Sequence, residues 1–221
     1  MRRPNRTKSM TSVREVPGRR EAAKEEKRAR LVEAAWELFS ERGVSATTTA
    51  DIATRAGIAK GTVFLYATDK DDLVFLVMHD RLAAVSDECL RTAPKRGPLL
   101  AQLQHVFGGL YALYARSGEL GRHLVRLLPG ATGENAKRVN ALTFAFVHRL
   151  AALVIEAQAR GEVRADVDPM VAATTCFSLY FSGLMAWLQG FATLEEAGER
   201  LVPQALALLE RGLHADGAPR R

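Results

Sequence analysis

Residues 48–66 read TTADIATRAGIAKGTVFLY and contain the side chains with the clearest chemical meaning in this chain. Thr48 and Asp51 have the spacing of a capping box, in which each side chain satisfies the other's backbone N–H at a helix start. Gly57 permits the positive φ angle of a tight turn, and a second short helix follows it. A helix, a turn and a second helix are the arrangement by which many proteins place side chains in the major groove of DNA. The segment therefore predicts contacts with double-stranded DNA.

Helical periodicity on both sides of this segment predicts the elements that hold it in place. Asp69 is typical of a helix start, and the apolar pattern after it continues to about Leu90. Upstream, from Lys27, the apolar residues recur at intervals of three and four, as one face of a helix requires. These residues are Leu31, Ala34, Ala35, Leu38 and Phe39.

The rest of the chain also has the periodicity of helices. The pattern predicts helices over 98–116, 119–128, 134–160, 169–191 and 194–212. Strands do not alternate with these helices, and neither GxxxxGK[ST] nor GxGxxG occurs. A nucleotide-binding α/β fold is therefore excluded.

The net charge of +6 comes from one end of the chain. Residues 1–24 hold eight basic and two acidic side chains, together with Pro4, Pro17 and Gly18, and show no apolar periodicity. This composition is typical of a disordered basic arm that contacts DNA phosphates. The alternative is an extension before Met10 that only increases solubility.

Metal, cofactor and catalytic sites are not indicated. Cys89 and Cys176 are far apart, which favours free thiols in a reducing cytoplasm. His105, His123 and His148 lack the i, i+4 spacing of paired metal ligands. We therefore predict no metal, no cofactor and no enzymatic activity, with a helical enzyme carrying an accessory helix-turn-helix as the competing hypothesis.

A longer stretch resembles a known family. Residues 30–73, RLVEAAWELFSERGVSATTTADIATRAGIAKGTVFLYATDKDDL, resemble the N-terminal domain of the TetR family without a gap, and GEVRADVD at 161–168 is similar to a sequence between late helices of that family. The resemblance implies an all-α fold: a three-helix helix-turn-helix domain at 25–85, followed by a helical ligand-binding and dimerisation domain at 86–221. It also implies that the DNA-binding residues are Thr48, Thr49, Lys60, Gly61, Thr62, Phe64, Leu65, Tyr66 and Lys70.

Within that set the resemblance implies different roles. Lys60, Tyr66 and Lys70 are expected to contact phosphates, and the start of the helix at Thr49 adds a backbone contact. The remaining residues of the second short helix are expected to face base edges or thymine methyl groups. Leu65 stands where the family often has His, so the base preference is expected to differ.

The second domain is expected to hold a ligand cavity. Aromatic side chains on its helices predict an apolar lining that suits a small apolar or aromatic effector. Ordinary core packing is the alternative for each of them. The candidates are Phe107, Tyr111, Tyr114, Phe144, His148, Phe177, Phe181 and Trp187.

The segment Pro169–Leu194 contains no charged residue, which raises the alternative of a membrane span. Acidic flanks and internal Ser and Thr residues argue against it. Ser178, Ser182 and Ala186 recur every four residues and leave a low ridge that another helix can approach. We therefore predict a homodimer, no membrane contact and a palindromic operator.

The functional hypothesis is a cytoplasmic, sequence-specific transcriptional regulator, in particular a repressor that a small hydrophobic effector releases from its operator. The alternative is an architectural or protein-interaction module that uses the helix-turn-helix without responding to a ligand.

Overall fold

The computed structural model describes residues 18–213, and over that range the regular structure is helical throughout. Residues 1–17 of the predicted arm and the last eight residues lie outside the described part. The helices are α1 Arg19–Ala46, α2 Thr49–Ala56, α3 Lys60–Val63, α4 Lys70–Thr92, α5 Leu99–Leu127, α6 Glu134–Ala159, α7 Pro169–Leu188, α8 Leu194–Glu196, a π-helical stretch Ala197–Leu201 and α9 Val202–Leu213.

The first helix begins at Arg19, eight residues earlier than its apolar pattern predicts. The prediction of disorder up to residue 24 is therefore wrong for 19–24. These residues belong to RREAAKEEK, which is rich in good helix formers that need no buried face. Arg28 in the next turn also holds α1 against α4, because its guanidinium donates to both carboxylate oxygens of Asp80 at 2.9 and 2.8 Å.

The predicted helix-turn-helix forms as the local sequence requires. The Asp51 N–H donates to the Thr48 hydroxyl, and the Asp51 carboxylate accepts from the Thr48 N–H, which completes the capping box. Gly57 has a φ of 64° and ends α2. Ile52 and Val63 are buried and fix α2 and α3 to the core. α3 is only four residues long, and turns continue the segment to Tyr66.

The C-terminal helices surround a second part of the core. α5 consists of two helical segments that meet at a kink at Gly118, where φ is 52°, so the break predicted between the helices at 98–116 and 119–128 is confirmed. α6 and α7 are long and apolar enough to cross a membrane by length and composition alone. Core helices of globular domains have the same composition, and both helices pack against their neighbours through buried residues such as Leu150 and Cys176.

The contact between α5, α7 and α9 depends on a glycine. The Tyr111 hydroxyl donates to the Tyr180 carbonyl at 3.0 Å, and the hydroxyl end of the Tyr111 side chain lies against Gly183. A Cβ at Gly183 would overlap the Tyr111 hydroxyl and would lie 2.6 Å from a methyl carbon of Val202. Neither atom can move without disturbing the packing of the three helices.

We therefore expect Gly183→Ala to lower the free energy of unfolding by about 1–3 kcal/mol through overpacking. Gly108→Ala is the matched control, because Gly108 lies in the helical α5 and a Cβ there meets no atom within 4 Å. It should stabilise the fold by about 0.5–1 kcal/mol, the helix-propensity difference between the two residues. Chemical denaturation of both variants measures the difference, and equal effects would contradict it.

Candidate DNA-binding surface and ligand cavity

The segment from α3 to Tyr66 presents apolar side chains to solvent. Phe64 is 50% exposed and Leu65 is 78% exposed, although both are large and apolar. Lys60 and Gly61 are exposed and Thr62 is half-buried on the same segment. This is the surface that the sequence predicts to face DNA bases. Its geometry suits contact with thymine methyl groups and base edges.

Two of the three predicted phosphate-binding residues, Tyr66 and Lys70, have internal partners. The Tyr66 hydroxyl donates to the Lys24 carbonyl at 3.0 Å, which ties the end of the recognition segment to α1. The Lys70 ammonium lies 3.3 Å from the Ser45 carbonyl and 3.4 Å from the Thr47 carbonyl. Both side chains therefore hold the helix-turn-helix together, and their contact with phosphates stays a prediction.

The first turn of α2 has the capping box that the sequence predicts. The Thr48 side chain is exposed and is committed to the capping box, whereas Thr49 in the first turn is half-buried. The N–H groups of this turn carry the positive end of the helix dipole, which favours a phosphate oxygen.

A cavity of about 360 Å³ lies between α4, α5, α6 and α7. Its lining carries no charged side chain and is mainly aliphatic and aromatic, so it suits an uncharged apolar molecule. The lining residues are Leu82, Ser86, Leu110, Tyr114, Leu128, Pro129, Val139, Asn140, Leu142, Thr143, Phe146, Phe177, Tyr180, Phe181 and Leu184.

The polar atoms of this lining are few and largely occupied. The hydroxyls of Ser86 and Thr143 each donate at 3.0 Å to a carbonyl of their own helix. Burial raises the pKa of Tyr114 to about 12 and raises the pKa of Tyr180 well above its ordinary value. Both phenols are therefore neutral at physiological pH. The Asn140 side chain is the exposed polar group of the lining.

Three of the eight predicted ligand residues line the cavity: Tyr114, Phe177 and Phe181. Phe107 is in the core, stacked on Tyr180 with ring centroids 5.0 Å apart, and Tyr111 is held against Gly183. Phe146 and Tyr180, which were not among the predicted residues, also line the cavity, from α6 and α7.

Phe144, His148 and Trp187 lie outside the cavity. Phe144 is 68% exposed, and its ring contacts that of His148, whose Nδ1 lies 2.9 Å from the Phe144 carbonyl. Successive residues of a helix are about 100° apart, so Phe144 and Phe146 face opposite sides of α6. Trp187 packs under the guanidinium of Arg122, which donates to the Trp187 carbonyl.

The predicted dimer surface is exposed in the single chain. Ser178 and Ser182 face solvent along α7, and Ala186 continues the row half-buried. A groove beside them is lined by Phe177, Ser178, Phe181, Ser182, Met185, Ala186, Gln189 and Phe191. Val171, Phe191 and Leu208 are large, apolar and mostly exposed on α7, the loop after it and α9.

Within residues 18–213 no group of three or more His, Cys, Asp or Glu side chains is placed to hold a metal ion. Cys89 and Cys176 are buried free thiols, as their separation in sequence predicts. Burial raises the pKa of Cys176 to about 11, so this thiol is protonated.

Comparison with known proteins relates both halves of the chain to one family. The family model for bacterial regulatory proteins of the tetR family matches residues 31–77. The chain is 31% identical over 173 residues to the HTH-type transcriptional regulator TtgR of Pseudomonas putida, covering 74% of this chain and 81% of that protein. It is 21% identical over 184 residues to the fatty acid metabolism regulator protein of Bacillus subtilis, covering 83% and 94%.

A solved structure extends the similarity to the whole fold. Thermus thermophilus FadR, a TetR-family transcriptional repressor in complex with lauroyl-CoA, superimposes with a TM-score of 0.64 at 26% identity, over 88% of this chain and 98% of that chain. The helix-turn-helix, the helices that follow it and the 31% identical relative all indicate the same family. The chain belongs to the TetR family of transcriptional regulators.

Proposed function

We propose that this protein is a cytoplasmic, homodimeric repressor that leaves a palindromic operator when a small apolar effector occupies the cavity. The observation that carries the proposal is the uncharged, aromatic-lined cavity of about 360 Å³ in the same chain as an exposed recognition segment. A ligand that binds one conformer better than another shifts their populations by its differential affinity. Occupancy of the cavity therefore changes operator affinity if the two conformers space the recognition helices differently.

One helix connects the two sites directly. α4 begins at Lys70, which is bonded to the helix-turn-helix, and contributes Leu82 and Ser86 to the cavity lining. Because an α-helix of this length moves largely as a rigid body, a ligand that displaces α4 at Leu82 also displaces its first residue, Lys70. This supports a ligand-responsive regulator over the architectural alternative, in which the cavity would have no effect on DNA binding.

The effector proposed here is uncharged and apolar or aromatic. Two solved FadR structures are complexes, one with lauroyl-CoA and one with stearoyl-CoA, whose acyl chains match this kind of lining. A coenzyme A group also carries phosphates, and these require cationic partners. No lining residue of the cavity carries a charge, so the favoured ligand is a molecule without that group.

We expect Phe181→Ala to weaken binding of the uncharged fluorophore N-phenylnaphthylamine, because Phe181 is part of the cavity wall. Loss of one ring contact corresponds to about 1.5 kcal/mol, or roughly tenfold in affinity. Phe144→Ala, the matched control on the outside of α6, should leave the affinity unchanged. A fluorescence titration of both variants measures this. Equal loss in both, or no binding to the wild type, would contradict the cavity assignment.

Selection from random DNA separates the repressor from the architectural alternative. A sequence-specific dimer should enrich a palindrome with half-sites about 34–36 Å apart, or a multiple of that distance. An architectural protein should enrich no defined sequence and should protect DNA broadly in footprinting.

A further inference from the structure

A buried polar junction connects the recognition segment to the sensor helix α6. Asp72 near the start of α4 is 7% exposed, and Asn135 in the first turn of α6 is 5% exposed. Burial of polar groups is unfavourable unless their hydrogen bonds are made, so two such residues in contact fix the relative position of their helices.

Asn135 uses both of its amide hydrogens in this junction. Its Nδ2 donates to the Tyr66 carbonyl at 2.9 Å and to the Asp72 carboxylate at 3.0 Å. Its backbone N–H also points to the other carboxylate oxygen, at 3.3 Å. One side chain of α6 therefore holds the last residue of the recognition segment and the helix that follows it.

Asp72 completes the junction from the DNA-binding side. Its carboxylate accepts from the Thr68 N–H at 3.0 Å, and its own N–H donates to the Asp69 side chain that caps α4. The carboxylate also lies at the N-terminus of α6, where the helix dipole favours negative charge. The turn between α3 and α4 is thus bonded to α6 twice, directly through the Tyr66 carbonyl and indirectly through the Asp72 carboxylate.

The same face of α6 continues into the cavity. Val139 and Thr143 line the cavity and lie four and eight residues after Asn135, so the three side chains point in one direction. The distance along the helix from Asn135 to Thr143 is about 12 Å at 1.5 Å per residue. A ligand that displaces Val139 or Thr143 therefore displaces Asn135 as well.

We infer that Asn135 is the positioning residue through which occupancy of the cavity reaches the recognition segment. The effector displaces the first turns of α6, the Asn135 amide releases the Tyr66 carbonyl and Asp72, and the turn at 66–69 loses its support. This inference rests on the proposed function, because it specifies how the cavity and the DNA-binding surface communicate.

Amide hydrogen exchange of the full-length wild type tests the inference without a variant. N-phenylnaphthylamine should accelerate exchange at 66–68 by about fivefold or more, because the Thr68 N–H is bonded inside the junction. Bound probe with unchanged exchange at 66–68 would overturn the inference and leave the proposed function in place. Failure of the probe to bind would instead contradict the proposed apolar site.

Two substitutions then test the effect on DNA binding. Asn135→Asp keeps the shape but removes both N–H donors and places a carboxylate beside Asp72, whereas Asn135→Ala removes the side chain and favours the helix. In the wild type, N-phenylnaphthylamine should weaken operator binding by roughly 5–150-fold, as is typical of coupled sites. In both variants this factor should fall to about threefold or less. Probe affinity should be retained or should increase, since Asn135 does not line the cavity and the bonds that the probe must break in the wild type are absent from both variants.

Lys137→Ala is the matched control, because Lys137 is an exposed residue of the same helical turn paired with Glu134. It should retain the wild-type response to the probe. A folded Asn135→Ala or Asn135→Asp protein with the full wild-type response would overturn the role of Asn135.

Discussion

Ser182→Glu is expected to convert the protein to a monomer and to weaken operator binding by roughly 10²–10⁴-fold. This factor is the gain in affinity that a molecule obtains when two of its binding modules are linked. Ser182 is exposed on α7 in the row that the proposed partner helix approaches. A carboxylate buried there without a cationic partner is unfavourable by several kcal/mol. Each monomer then binds a half-site alone and loses the gain from binding two half-sites at once.

Ala112→Glu provides the control for this experiment, because Ala112 is exposed on α5, away from the α7 row. It adds the same charge and should remain a dimer with wild-type operator affinity. Light scattering at micromolar concentration gives the oligomeric state, and fluorescence anisotropy gives the affinity. A dimeric Ser182→Glu protein, or a monomeric wild type, would contradict the proposed interface.

Phe64→Ala is expected to lower operator affinity strongly without lowering stability. A lost base contact costs about 1–3 kcal/mol. A dimer carries two copies, so the total is about 2–6 kcal/mol, or roughly 30-fold to more than 10⁴-fold. The ring is half exposed, so its removal leaves no cavity in the core. The slope of log affinity against log salt should not change, because no charge is removed.

Phe144→Ala is again the matched control, since it removes an exposed ring from α6, far along the chain from the recognition segment. Its operator affinity should equal that of the wild type. An equal loss for both variants, or a Phe64→Ala protein that binds random DNA and operator as the wild type does, would show that Phe64 does not face the bases.

The helix-turn-helix could be predicted from sequence because its determinants are local. The capping box of Thr48 and Asp51 and the turn at Gly57 lie within ten residues, and the structure confirms both. The start of α1 was not predictable from apolar periodicity, because 19–27 form a helix with no buried face. Helix propensity alone carries the signal there.

The cavity lining was only partly predictable, because the candidates were chosen for their aromatic side chains. Whether a residue reaches the cavity depends instead on the side of the helix that it occupies. Phe146 points into the cavity and Phe144 points to solvent, although they are two residues apart. The buried face of α6, continued at Leu150 and Val154, is a signal that would have chosen Phe146.

Contacts to distant backbone carbonyls leave no pattern in the sequence. The Tyr66 hydroxyl bonds to a carbonyl 42 residues away, and the Asn135 amide bonds to one 69 residues away. The family resemblance suggested phosphate contact for Tyr66, and nothing in the sequence gave a role to Asn135. Only the packing of α1 and α6 against the recognition segment brings these partners together.

The most direct test of effector-controlled DNA binding is a reciprocal titration with N-phenylnaphthylamine and the selected operator. Saturating probe should weaken operator binding by roughly 5–150-fold, and saturating operator must weaken probe binding by the same factor, because coupling between two sites is reciprocal. Phe181→Ala should shift the probe concentration required, whereas Phe144→Ala should not. Probe that binds in the cavity and leaves operator affinity unchanged would contradict effector-controlled release.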